Sequence, residues 1–270
     1  MPTTGTSNWR DGEIISRRRL SDEQAPVRLY HITYASQGLP VQGLLAEPQR
    51  DEPCPGLLYC RGGIGRVGMV QPERIETLAA LGYVVFAPYY RGSSSGGHGI
   101  DGFGGEDRHD VYNALTLLRA LPGVAPLPIP LIGFSRGSIM AALAARDCPL
   151  AGPIVVWGGV SDLLLTYEER IDLRRMLKRV VGHPVKQAAA YHDRSPVCWA
   201  DRIRRPVLIV HGDQDDQVSV EHAHRLAHEL ERHGKDFAIA IYEGMKHRFT
   251  PEVDATALAQ IDRWFQSKLN

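Results

Sequence analysis

Cysteine is scarce. The chain of 270 residues holds four (Cys54, Cys60, Cys148, Cys198), with no C-x-x-C pair among them. That spacing excludes a dense disulfide framework and a thiolate metal site. A dominant charge is missing too. Lys plus Arg and Asp plus Glu each number 31, and a chain without a net field has no general attraction to nucleic acid or an anionic membrane. Its one basic run, Arg17–Arg18–Arg19, is short and reads as solvated. No apolar run is long enough to span a bilayer, and the opening "MPTTGTSNWRDGEI" lacks the apolar core of a signal peptide. No internal repeat stands out, and the only biased tract is the Gly-rich stretch 92–105. A cytoplasmic protein with reduced thiols is the expectation.

What is present is regular alternation. "VRLYHITY" (27–34) and "VQGLLAE" (41–47) alternate like half-buried strands joined by a turn, and predict an antiparallel edge. Short buried runs then alternate with helical patterns. The runs are 56–60, 83–88, 129–133, 153–159, 206–212 and 237–244. The helices fall at about 72–82, 106–120, 138–146, 220–233 and 253–268, with a polar helical region reaching about 190. Six strand–helix units imply a mostly parallel sheet with helices on both faces, because each crossover lays a helix on a face. The two leading strands bring the count to eight. One domain over 1–270 is expected, with a leading segment 1–26 and a small cap at about 162–198, after the sixth strand. In such sheets reacting groups lie beyond the carboxyl ends of the strands.

Two stretches match G-x-S-x-G, "GSSSG" (92–96) and "GFSRG" (133–137). A nucleophile elbow needs a strand before its serine and a helix directly after it. "GFSRG" has both, in "IPLI" and "SIMAALAAR". "GSSSG" is followed by "GGHGIDGFGG", in which no helix can start, so Ser94 belongs to a loop. Ser135 is the candidate nucleophile. It needs a base, and a carboxylate to orient that base. "VLIVHGDQDDQV" offers Asp213, Asp215 and Asp216 just past the seventh strand, and Asp162 past the sixth competes with them. "YEGMKHRF" puts His247 past the last strand. His211 reads as a structural hydrogen-bonder, and His222, His224, His228 and His233 as helix-surface residues.

A dinucleotide-site decoy sits nearby. "GGIGRVG" spells G-x-G-x-x-G at Gly63, Gly65 and Gly68, with Arg91 downstream as a conceivable phosphate ligand, and Tyr242–Lys246 spells Y-x-x-x-K. The helix, however, starts at Pro72 and not at the second glycine. No acid ends the next strand, and Tyr242 and Lys246 fall on a strand end and a turn. An NADP-binding reductase is the remote alternative.

"GFSRGS", "HGDQDDQV" and "MKHRF" resemble the catalytic domain of the prolyl oligopeptidase family of serine peptidases, within the α/β-hydrolase superfamily. "YYRGSSSGG", "GVSDL" and "DRSPVCWADRIRRPVLIVHG" extend the likeness from about residue 40 to the end. The family's acid motif, H-G-x-x-D-x-x-V, selects Asp215. The resemblance implies an α/β-hydrolase fold and a Ser135–Asp215–His247 triad that uses no cofactor or metal. It also implies an oxyanion hole of the Arg136 backbone N–H with one from Gly62, Gly63 or Ile64. This chain departs from the pattern twice. It has no room for the family's β-propeller, and Arg61 stands where members often carry Tyr or His. Arg61, Tyr89 and Trp157, with Tyr90 beside them, are the candidate pocket residues. A small-molecule or short-peptide substrate is expected; a carboxylesterase is the alternative, and homo-oligomer formation is left open.

Overall fold

The structure is a computed structural model that describes residues 8–93 and 98–269. Ser94 and the rest of 94–97 lie outside the described residues. Nine strands form one sheet: β1 Ile14–Arg19, β2 Val27–Ser36, β3 Leu39–Pro48, β4 Gly56–Cys60, β5 Val84–Pro88, β6 Ile129–Phe134, β7 Ala151–Trp157, β8 Val207–Gly212 and β9 Phe237–Tyr242. Their order is β1-β2-β3-β5-β4-β6-β7-β8-β9. The pairs from β1 to β5 through β3 are antiparallel, and those from β5 to β9 are parallel. Among the described residues eight α-helices complete it: α1 Pro72–Ala80, α2 Arg108–Ala120, α3 Gly137–Asp147, α4 Leu163–Glu169, α5 Arg174–Val180, α6 Ala188–Asp193, α7 Glu221–Arg232 and α8 Pro251–Leu269.

The count of eight strands is corrected to nine, because the segment 1–26 contributes β1. This strand was hidden by its composition. Only Ile14 and Ile15 are even partly buried in it, and its last four residues are exposed. Arg17 pairs with Glu47 on β3 at 2.7 Å and covers the Tyr30 ring. A charged edge of this kind also discourages pairing with another chain. By contrast β4, β5, β7 and β8 are buried along their whole length, as expected where helices cover both faces.

α1 and α8 pack on one face, around Leu57, Val85, Ile132 and Leu208. α2, α3 and α7 pack on the other, around Leu58, Phe86, Leu131 and Ile209. The chain therefore leaves β4 toward one face through α1, and leaves the neighbouring β6 toward the other through α3. The carboxyl ends of β4 and β6 form the switch point where such sheets open a crevice. The nucleophile motif follows β6 and the "RGGIG" loop follows β4, so topology brings them together. Between β7 and β8, α4, α5 and α6 cover this end.

Candidate active site

The turn after β6 is built by close approach. Ser135 has φ 55°, in the left-handed region that costs a non-glycine residue roughly 1–2 kcal/mol. Its amide donates to the Trp157 carbonyl at 2.9 Å, and its own carbonyl accepts from the Ser138 and Val160 amides. The strained residue is thereby held by β7 and by the start of α3. A Cβ on Gly137 would stand 1.9 Å from the Cys60 carbonyl oxygen. Gly137→Ala is expected to destabilise by about 3 kcal/mol or more, because backbone cannot move aside as a side chain would. The urea unfolding midpoint measures this.

The candidate acid and base arrive from the loops after β8 and β9. His247 Nδ1 lies 2.8 Å from Asp215 Oδ2. Since a carboxylate only accepts, Nδ1 is assigned the proton, which leaves Nε2 free to take one. The Gln217 and Val218 amides each donate to Asp215 Oδ1 at 2.9 Å, and His211 Nε2 stands 3.4 Å from Oδ2. Burial pushes the Asp215 carboxyl up, but the His211 and His247 imidazoles beside it outweigh that and hold it well below the usual carboxylate range. The Phe134 ring lies 4.9 Å from the His247 ring and braces it.

The rival acids are engaged elsewhere. Asp162 caps α4 through the Leu164 and Leu165 amides and pairs with Arg225 at 3.2 Å. Asp213 accepts from the Gly244 amide, and Asp216 is exposed. His211 donates to the Val218 carbonyl at 2.8 Å, in keeping with a structural role.

His222 is a correction. It is not on the helix surface but 1% exposed. Its place on the stripe formed with Ala223, Leu226 and Leu230 was a signal in the sequence that the reading missed. The Ser161 and Asp162 amides donate to its Nδ1 at 3.3 Å. Burial lowers its pKa from 6.5 to about 4. Between those values the unfolded chain binds a proton that the folded chain refuses, so stability falls with falling pH by about 1.4 kcal/mol per unit. Denaturant titrations at pH 6, 5.5 and 5 should approach this slope, and His222→Gln should flatten it.

The loop after β4 brings Arg61 to the wall of the cleft and leaves Tyr89 out of it. The Arg61 side chain is 1% exposed and does not offer its guanidinium to a substrate. Its donors go to the carbonyls of Tyr89, Gly62, Val67 and Gly65, all within 3.1 Å. Arg61 is therefore the internal brace of the loop 62–67. Tyr89 supplies one of those carbonyls, and its ring packs on His31 at 6.1 Å, outside the cleft. Tyr90 is buried beneath the guanidinium groups of Arg61 and Arg136. Arg91, the conceivable phosphate ligand, is tied to buried Asp110 at 2.7 Å, and α1 begins at Pro72. The decoy dinucleotide site is not built.

Ser135, His247, Gly62, Gly63, Ile64 and Trp157 all line one cleft of about 820 Å³. One arm, toward α1 and α8, is walled by Tyr59, Phe134, Trp157 and Phe249. The other runs under the segment 162–198, which contributes Thr166, Arg170, Leu173 and Met176 opposite Val160 and Val218. Among the described residues no helix is long and apolar enough to cross a membrane.

The sequence matches the model of the prolyl oligopeptidase family over residues 69–270. It is 44% identical over 257 residues to the uncharacterized peptidase YtmA of Bacillus subtilis (strain 168), spanning 94% of this chain and 100% of that one. A puromycin-hydrolyzing peptidase of Mycobacterium tuberculosis superposes with a TM-score of 0.80 at 23% identity, over 90% of this chain and 39% of that one. Acetyl xylan esterase 1 of Thermoanaerobacterium sp. JW/SL YS485 superposes with a TM-score of 0.70 at 14% identity, over 92% and 87%. At such identities the two structures share an α/β-hydrolase fold with this chain, and a fold alone carries no substrate across. The family match covers well over half of the sequence, so this chain is a serine hydrolase that belongs to the prolyl oligopeptidase family.

Proposed function

We propose that the chain hydrolyses small peptide or acyl substrates through Ser135, His247 and Asp215. The observation that carries this reading is the 2.8 Å contact of His247 Nδ1 with the Asp215 carboxylate, in the cleft that Ser135 also lines. His247 Nε2 takes the Ser135 hydroxyl proton as Oγ attacks the substrate carbonyl carbon. Asp215 keeps the imidazole in the competent tautomer and stabilises its charge. Backbone N–H groups of Arg136 and of the 62–64 loop receive the oxyanion. The tetrahedral intermediate collapses, His247 gives its proton to the leaving amine or alcohol, and an acyl ester remains on Ser135. Water, deprotonated by His247, attacks that ester, and the second tetrahedral intermediate collapses as His247 returns the proton to Ser135 Oγ and the acid leaves.

The family favours a peptide bond. The aliphatic arm of Val160, Leu173, Met176 and Val218 suits an acyl chain as well as an amino-acid side chain, which makes carboxylic ester hydrolysis the second reading. A kinetic panel of p-nitrophenyl esters against aminoacyl and dipeptidyl anilides separates the two. Turnover of anilides is expected; turnover confined to esters would replace peptidase by esterase.

A further inference from the structure

Two guanidinium groups lie behind the oxyanion loop, and one carboxylate joins them. Arg136 follows the nucleophile, and its side chain is 2% exposed. Its Nη1 donates to the Gly63 carbonyl at 2.9 Å. Asp101 holds Arg136 with both oxygens, at 2.8 and 3.0 Å, and the same carboxylate accepts the Gly65 amide at 3.0 Å. Arg61 Nη2 is 4.0 Å from it. Asp107, fully buried, pairs with Arg136 from the other side. Burial alone would raise the Asp101 carboxyl; the Arg136 charge and the Gly65 amide outweigh it and keep it ionised below its usual range.

This arrangement dictates where the loop amides aim. In a trans peptide the N–H of one residue points opposite to the carbonyl before it. The Gly62 carbonyl is drawn to Arg61 and the Gly63 carbonyl to Arg136, so the Gly63 and Ile64 amides are turned away from the guanidinium groups. Neither donates to an acceptor among the described residues, and both residues line the cleft.

We propose that Asp101 is a positioning residue for the oxyanion hole. It locks the loop after β4 to the serine turn after β6, so that amides from both face one point. The proposal rests on the hydrolase reading above. No motif announces this role, because Asp101 lies 34 residues before Ser135 and outside every strand and helix.

The test compares Asp101→Asn and Asp101→Ala with Asp110→Asn in the full chain. Asp110 is likewise buried and paired with an arginine, but it does not touch the loop. The readouts are kcat and KM for p-nitrophenyl acetate, Ki for phenylboronic acid as a tetrahedral-adduct former, and the unfolding midpoint. Removing one oxyanion donor outright costs about a hundred- to thousandfold in kcat. Misaimed amides should cost about ten- to hundredfold in Asp101→Asn and more in Asp101→Ala. KM should stay within about twofold and Ki should rise in step with the loss of kcat. Asp110→Asn should lower the midpoint while leaving kcat and Ki unchanged. Equal kinetic losses in Asp110→Asn, or a kcat for folded Asp101→Asn within about threefold of the parent, overturn the positioning role alone. If the parent neither cleaves the ester nor binds the boronate, the hydrolase reading fails and takes this inference with it.

Discussion

Replacing Ser135 by alanine is expected to lower kcat about a millionfold and to leave the fold intact. In the proposed mechanism its hydroxyl forms the acyl bond, and among the described residues no other serine lines the cleft. The local backbone offers a way to separate chemistry from folding. Ser135 is held at φ 55°, a conformation that costs any residue with a Cβ and costs glycine nothing. Ser135→Ala keeps that strain and Ser135→Gly relieves it. The glycine variant should therefore be about as inactive, yet more stable than the alanine variant by about 1 kcal/mol, after allowing for glycine's extra freedom when unfolded. Steady-state kinetics and denaturant melts on the pair measure both effects. Equal stabilities would mean that the turn is not strained in solution.

Asp215→Asn should cost about ten-thousandfold in kcat with little change in side-chain volume. The asparagine amide presents N–H to His247 Nδ1, favouring the tautomer with its proton on Nε2. That tautomer cannot accept the serine proton. The depressed Asp215 pKa fixes the pH signature. A carboxylate held below its unfolded value of 3.8 contributes stability that is fully present above that value and is lost as pH falls through the folded value. Asp215 thus stays ionised across the neutral and mildly acidic range. The parent should lose this contribution only below about pH 4, and Asp215→Asn should lack it. Asp162→Ala, by contrast, removes a cap of α4, which typically costs about 1 kcal/mol of stability, and should retain most of the kcat. The reverse ranking of the two variants would reassign the acid.

Much of this site was legible because its signals are local. A strand, "GFSRG" and a helix lie within about twenty residues, and the candidate acid and base follow two later strands in order. The family's motif singled out Asp215 from three neighbouring aspartates. In the fold, the Gln217 and Val218 amides converge on Asp215 alone. The misses have physical causes. β1 carries three arginines in a row, and its pairing with β2 is a tertiary fact that propensity does not announce. Tyr89 follows a buried strand beside the site, yet its ring turns to His31 on β2. Arg61 reads as a pocket cation in sequence, and nothing there marks the Arg61 and Arg136 side chains as buried. They are buried because Asp101, Asp107 and five backbone carbonyls, some of them distant in sequence, take up most of their donors. Such long-range compensation leaves no periodic trace.

The most direct measurement is peptide-level mass spectrometry of the full chain after reaction with a fluorophosphonate probe, on the parent and on His247→Ala. One adduct on the peptide containing Ser135 is expected in the parent, with its rate of formation reduced by orders of magnitude in His247→Ala. An adduct on Ser93, Ser94 or any other residue, or labelling of Ser135 at the same rate without His247, would contradict a Ser135 nucleophile activated by the His247–Asp215 pair.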